Sequence, residues 1–282
     1  MIERHLSLLL SVLVVIPLLS GCLSKIEEEQ TVFRLGTTTS MRDSGLLEEL
    51  INDFSSKHDV DIEYVAVGTG AALELGKNKD VDAIIVHAPD LEQEFLAQGY
   101  GSERLTFAWN RFILLSYDEL EGSVYDAFYQ IYSNQSCFIS RGDFSGTHHK
   151  EQAIWQALNA SHHVPIIEDE NGIHPEGEWY NSIGQGMGAT INMAFEKGCT
   201  TLSDRGTALN FVDTIDLMVY EFNDTILNNP YSFIPIDEKQ NEWTDLFGSF
   251  LLTEGQDIIA NYTIGNQSAF FPISQLTEEL TR

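Results

Sequence analysis

Two segments of this chain are built alike, and together they constrain what it can fold into. In each, a short strand-like run ends in a turn rich in glycine and hydroxyl side chains, and a helical pattern begins at once. The first runs through Thr31-Val32-Phe33-Arg34-Leu35, then Gly36-Thr37-Thr38-Thr39-Ser40-Met41-Arg42-Asp43-Ser44-Gly45, then Leu46 to Phe54. The second runs through Cys137-Phe138-Ile139, then Ser140-Arg141-Gly142-Asp143-Phe144-Ser145-Gly146-Thr147-His148, then Lys150 to Leu158.

A turn of this composition feeding a helix is suited to an oxyanion. The first backbone N–H groups of a helix have no intrahelical partner, and the helix dipole favours negative charge there. Ser and Thr hydroxyls add donors, and glycine permits close approach of the backbone. Arg141 supplies the formal positive charge, with Arg42 a weaker candidate.

The rest of the chain repeats the alternation. Strand patterns at Val32–Leu35, Asp61–Val67, Val81–Val86, Arg111–Ser116, Thr200–Ser203, Leu217–Glu221 and Tyr231–Ile236 alternate with helical ones at Leu46–Lys57, Ala71–Lys77, Leu91–Gln98, Val124–Tyr132, Gly188–Lys197 and Gly206–Phe211. One amphipathic helix is expected over Trp243–Asn261, and Ser161–Glu178, polar with His, Pro and Gly, reads as a loop. Strands alternating with helices imply an α/β fold with mainly parallel sheets. Two well-separated oxyanion turns suggest two lobes with the ligand in the cleft between them, closing by hinge motion. The expected division is residues 31–111 with 231–282 for one lobe and 112–230 for the other, hinged through the strands at Arg111–Ser116 and Tyr231–Ile236.

Charge narrows the function. The 43 acidic residues against 15 basic ones give a formal net charge of -28. No basic patch is left to neutralise phosphates, which argues against a nucleic-acid partner. A protein this negative must hold an anion through a local, preorganised cluster of donors.

The N-terminus reads as a targeting segment. Arg4 and His5 precede a mostly apolar stretch from Leu6 to Leu19, which ends in Leu19-Ser20-Gly21-Cys22. The stretch is shorter than the roughly 20 residues a spanning helix needs and fits a secretory signal over residues 1–21. The box resembles a lipoprotein cleavage site with Cys22 lipidated, and residues 22–30 read as anchor and solvated tether. The mature protein is then expected outside the cytoplasm, held to the outer face of the cytoplasmic membrane. Cys137 and Cys199 remain, either bridged in an oxidising compartment or as two buried thiols.

An ordered set of motifs along nearly the whole mature chain resembles the tungstate-binding lipoproteins of ABC importers, among the periplasmic-type solute-binding proteins. The set comprises Thr37-Thr38-Thr39-Ser40 with Asp43-Ser44-Gly45, Val67-Gly68-Thr69-Gly70-Ala71, Val86-His87-Ala88-Pro89, Ser140-Arg141-Gly142-Asp143 with Ser145-Gly146-Thr147-His148, Gly184-Gln185-Gly186-Met187-Gly188-Ala189-Thr190, Asp204-Arg205-Gly206-Thr207, Glu254-Gly255-Gln256 and Phe270-Phe271-Pro272-Ile273. The resemblance implies the type II solute-binding architecture, a monomer with a tetrahedral oxyanion between two α/β lobes, and a membrane permease as partner. Residues Ser161 to Gly172 depart from it as an added acidic loop.

The expected ligand contacts are Thr38, Thr39, Ser40, Thr69, Gly70, Arg141, Ser145 and Thr147, with Gly186, Met187 and Gly188 offering backbone N–H groups. The bland alternatives are helix capping for the hydroxyls and an Arg141–Asp143 surface ion pair. The stretch from Gly184 also fits a dinucleotide fingerprint, but Trp179–Ile183 before it makes a poor strand. His148-His149 and His162-His163 are adjacent in sequence and suit no metal site, and His87 reads as a satisfied core histidine. No cofactor is expected. Tungstate leads, then molybdate. Phosphate keeps a proton and needs a carboxylate acceptor, for which Asp43 and Asp143 are the candidates. A surface phosphate-ester hydrolase is the competing class, without the G-x-S-x-G elbow that would support it.

Overall fold

The computed structural model describes residues 32–275. In chain order the elements are β1 Val32–Thr38, α1 Thr39–Asp43, α2 Leu46–Lys57, β2 Asp61–Val67, α3 Thr69–Lys77, β3 Ala83–Val86, α4 Pro89–Ala97, β4 Leu105–Ser116, α5 Val124–Asn134, β5 Phe138–Ser140, α6 Gly146–His162, β6 Ile166–Asp169, β7 Gly172–Pro175, β8 Tyr180–Ser182, α7 Met187–Lys197, β9 Thr201–Asp204, α8 Arg205–Leu209, β10 Met218–Tyr220, β11 Asn228–Pro235, α9 Glu242–Leu252, α10 Gly255–Asn261, β12 Thr263–Ile264, β13 Gln267–Ser268 and β14 Phe271–Pro272. The signal segment, Cys22 and the tether lie outside the described residues.

The principal sheet has the order β10-β4-β11-β3-β1-β2, with β9 and β14 also on β4. β1 is parallel to β2 and β3, and β5 is parallel to β8. The α/β class holds, but the sheet is mixed rather than mainly parallel. β11 lies between β3 and β4 and is antiparallel to both, because it arrives only after the chain has passed through β5 to β10 and turned back. β9, β10 and β14 also meet β4 antiparallel.

β4 changes partners along its length. Leu105 to Arg111 pair with β11, whereas Phe112 to Leu115 pair with β9. Its buried apolar residues divide accordingly. Phe107 and Ala108 join a core with Phe33, Leu50, Phe54, Phe233 and Phe247; Phe112 and Leu114 join another with Phe128, Phe138, Trp155 and Leu158.

Three local expectations are corrected. The stretch from Ser161 is not all loop: α6 runs to His162, and β6 and β7 pair as a hairpin through a Glu170-Asn171 turn into Gly172. The two turn residues are Glu170 and Asn171, and the left-handed position is Gly172, with φ of 90°, which glycine adopts at no steric cost. Tyr180–Ser182, the poor strand, is β8, held by parallel pairing with β5. The single helix over Trp243–Asn261 is two, parted at Thr253 and Glu254.

Cys137 and Cys199 are joined by a disulfide with Cα atoms 4.7 Å apart. The bridge stands at the entrances to β5 and β9, and Thr200 N–H donates to the Cys137 carbonyl at 2.9 Å.

Candidate functional site

The first turn is tightly organised. Thr38 ends β1 in extended backbone and caps α1, its Oγ1 accepting Met41 N–H at 3.3 Å. Ser40 Oγ lies 3.2 Å from Thr38 Oγ1 and 2.9 Å from Nε2 of His87, which follows β3. Parallel pairing sets this meeting: Thr37 stands opposite Ile85, so the two strands end side by side.

His87 is buried. Its Nδ1 is 2.8 Å from Asn229 Oδ1 on β11, its ring stacks on Tyr231 at 4.7 Å, and Gly146 sits at its edge. A Cβ on Gly146 would come within 3.1 Å of the His87 ring and 3.2 Å of its carbonyl, so only a bare backbone fits comfortably there. Gly146 N–H, freed at the start of α6, donates to Thr69 Oγ1 at the start of α3 at 3.0 Å. The two oxyanion turns, the α3 terminus and His87 therefore form one group. Burial holds His87 neutral, its pKa lowered to about 4, and the charges of Arg141 and Lys150 add to that effect.

Arg141 lies in the second turn and is 3% exposed. Its Nη2 donates to Asp143 Oδ2 at 2.6 Å, so the ion pair exists but is largely buried. Asp143 Oδ1 accepts Ser145 N–H at 3.2 Å, which engages both carboxylate oxygens within the turn. Asp43 is exposed and paired with Arg42 at 2.7 Å. Neither carboxylate is thus poised as a free acceptor for a protonated anion. Gly142 has φ of 59°, and a Cβ there would fall 1.8 Å from Ser182 Oγ, so this turn requires glycine.

Ser145 caps α6, accepting His148 N–H at 3.4 Å. Thr38, Ser40, Thr69, Arg141, Ser145 and Thr147 are all buried, and the side-chain donors Arg141 Nε and Thr147 Oγ1 have no partner among the described residues. Thr39 is partly buried and Gly70 faces solvent. Gly186 begins α7 in extended backbone beside Gln185, whose N–H donates to the Arg141 carbonyl at 3.1 Å. Met187 buries its side chain with Ile113, Ile139 and Ile191, leaving only its backbone for a ligand. Gly188 lies under the Phe211 ring and faces the Arg42–Gly45 turn.

Reading the chain alone missed Asn110, Asn229 and Tyr231, and placed His87 in the core. His87 is satisfied, as expected, but by Ser40 of the first turn and Asn229 of β11. The only signal was a polar residue in an apolar run, Asn110 in Phe107-Ala108-Trp109-Asn110; its partner is fixed by register, since Asn229 stands opposite Asn110. Asp204 caps α8 by accepting Thr207 N–H at 2.9 Å. It is wholly buried, which raises its carboxyl pKa against the opposing pull of Thr207 and Arg141. Arg205 pairs with Glu221 and donates to the Ser268 carbonyl.

A cavity of about 320 Å³ adjoins the group, sharing His87 and Gly146 as walls and lined further by Asp90, His149, Lys150 and Gln152. Among the described residues no cluster of three His, Cys, Asp or Glu can hold a metal ion, and no helix is long and apolar enough to cross a membrane.

The PBP superfamily domain model matches residues 26–254. The chain is 36% identical to the tungstate-binding protein TupA of Peptoclostridium acidaminophilum, over 92% of this chain and 94% of that one. Among solved structures it is similar to the tungstate-binding protein TupA from Desulfovibrio alaskensis G20, with a TM-score of 0.70 and 31% identity over 86% of this chain and 98% of that one. It is also similar to the tungstate ABC transporter structure from Geobacter sulfurreducens, with a TM-score of 0.68 and 35% identity over 82% and 98% of the respective chains.

Proposed function

We propose that this chain, which belongs to the PBP superfamily and within it to the family of the tungstate-binding TupA proteins, captures tungstate outside the cytoplasm and delivers it to an ABC permease. One observation carries the reading. Arg141 Nε and Thr147 Oγ1 are buried donors with no partner among the described residues, on a turn where Asp143 is paired with Arg141 and Ser145 caps α6. An unsatisfied buried donor costs about 1–3 kcal/mol, and an oxyanion lodged against both would remove that cost.

The contacts assigned to the anion are Thr38, Thr39, Ser40, Thr69, Gly70, Arg141, Ser145 and Thr147, with backbone N–H groups of Gly186, Met187 and Gly188. A fully deprotonated dianion suits this set, tungstate first and molybdate second, because donors dominate and Asp143 is already engaged. The protein binds without turnover and needs no cofactor. In this reading it is a monomer, with Cys22 lipidated after removal of residues 1–21, so that the tether from 22 to 30 holds it to the outer face of the membrane. Lobes of 31–111 with 231–282 and of 112–230 open about β4 and β11. The exchange of partners between Arg111 and Phe112 supports that division.

Calorimetric titration with tungstate, molybdate, sulfate and phosphate tests the reading. Tight tungstate binding with little heat from sulfate or phosphate is expected; no binding of any of the four would overturn it.

A further inference from the structure

We propose that His87 sets the polarity of the Ser40 hydroxyl, so that a fully deprotonated oxyanion is gripped at Ser40 only together with one proton taken up at His87. This rests on the oxyanion reading above and deepens it.

The argument starts at a backbone carbonyl, which can only accept. Asn110 Nδ2 donates to the Ala269 carbonyl at 3.3 Å, which turns Asn110 Oδ1 toward Asn229. Asn229 must answer with its amide nitrogen, which donates to Asn110 Oδ1 at 2.8 Å and to the Tyr231 hydroxyl at 3.1 Å. Asn229 Oδ1 is then the atom facing His87 Nδ1 at 2.8 Å, and it too can only accept. Nδ1 therefore carries the ring proton. In a neutral ring Nε2 is bare, so the Ser40 hydroxyl, 2.9 Å away, must spend its hydrogen there. Asn110, Asn229, His87 and Ser40 are all buried, so water does not loosen the sequence of donors and acceptors.

Ser40 consequently turns lone pairs toward its own turn. A dianion with no hydrogen of its own finds an acceptor there, which repels it. A proton added at Nε2 reverses the bond: the ring donates to Ser40 Oγ, and the Ser40 hydrogen is released to the anion. The proton comes from solvent, and the anion is unchanged. The groups around the ring make the neutral state the resting one. Arg141 and Lys150 place positive charge near it; Tyr231 and Asn229 face it from β11, Phe112 from β4 and Gly146 from α6. On the cavity side His149 and Asp90 share its wall, and Asp90 is the carboxylate there. A bound dianion supplies the negative charge that the resting surroundings lack.

Two measurements test this. Nitrogen NMR of the protein labelled with ¹⁵N-histidine, free and near neutral pH, should show His87 as the Nδ1–H tautomer, changing to the doubly protonated ring when tungstate is added. An Nε2–H tautomer in the free protein, or a neutral ring in the complex, overturns the proposal. Tungstate titrated calorimetrically in buffers of different ionisation enthalpy should give uptake approaching one proton per anion, an uptake lost in His87→Gln. Heats independent of buffer in the unaltered protein overturn it. If no anion binds at all, the oxyanion reading itself falls, while the tautomer of the free protein still decides the resting state.

Discussion

Replacing Arg141 by alanine separates an anion site from a structural ion pair. The guanidinium is 3% exposed, gives Nη2 to Asp143 and has Nε buried without a partner among the described residues. A hydrogen bond to a charged group contributes about 1.5–3 kcal/mol, so losing it at the anion should weaken binding by about tenfold to a few hundredfold. The same substitution leaves the Asp143 carboxylate without its counter-ion, and that charge adds repulsion of a dianion. Arg141→Ala combined with Asp143→Asn should therefore recover part of the loss, though not all of it, because Nε remains absent. Arg141→Lys keeps the charge but not the planar fork and should fall between. The assay is calorimetric titration of tungstate at fixed ionic strength, with urea unfolding to show that each variant is folded. Affinity unchanged within about twofold in a folded Arg141→Ala protein would refute the reasoning, since RT ln 2 is far below the value of one charged hydrogen bond.

Other outcomes follow from separate features. The bridge between Cys137 and Cys199 spans 62 residues, so replacing both by serine should cost about 4 kcal/mol of stability and lower Tm by about 10 °C in a scanning calorimeter. Burial raises the pKa of Glu151 from 4.5 to about 7, while its carboxylate accepts from Tyr180 and Trp155. The folded state thus binds this proton more tightly than the unfolded one, and the stability it contributes is full below pH 4.5 and is lost as pH rises through about 7. Compared with Glu151→Gln, the natural protein should lose about 3 kcal/mol between those limits in urea titrations; parallel profiles would refute the assignment. Lys150 has no ion-pair partner among the described residues and lines the cavity beside His87. In a chain of net charge -28, Lys150→Gln should slow tungstate association several-fold and flatten its salt dependence, read by stopped-flow tryptophan fluorescence.

Legibility in the chain followed the range of the forces involved. The turn at Thr38–Ser40 and the second at Arg141–Thr147 were readable because capping and helix-start signals are local, and they do meet, through His87 and through Gly146 on Thr69. β8 was not readable: Tyr180-Asn181-Ser182 has little strand character and is held by β5. The direction of β11 was equally hidden, since no local pattern records which neighbour a returning strand will choose. The amide relay from Ala269 to Ser40 depends on three strands in one register, so single positions such as Asn110 and Asn229 carried almost no warning. The hairpin turn at Glu170-Asn171, by contrast, had one local mark, the left-handed Gly172 that follows it, hidden by the polar composition around it.

The disulfide has a mechanical meaning beyond its contribution to stability. Arg141 lies four residues after Cys137 and Asp204 five after Cys199, each at the far end of a short strand. The bond is the pivot of a pair of dividers whose points are a guanidinium and a buried carboxyl, and the inter-strand bonds at Thr200 brace the legs near the joint. With the pivot locked, the gap between the two points is a manufactured tolerance. Unlocked, it becomes a distribution of spacings instead of one.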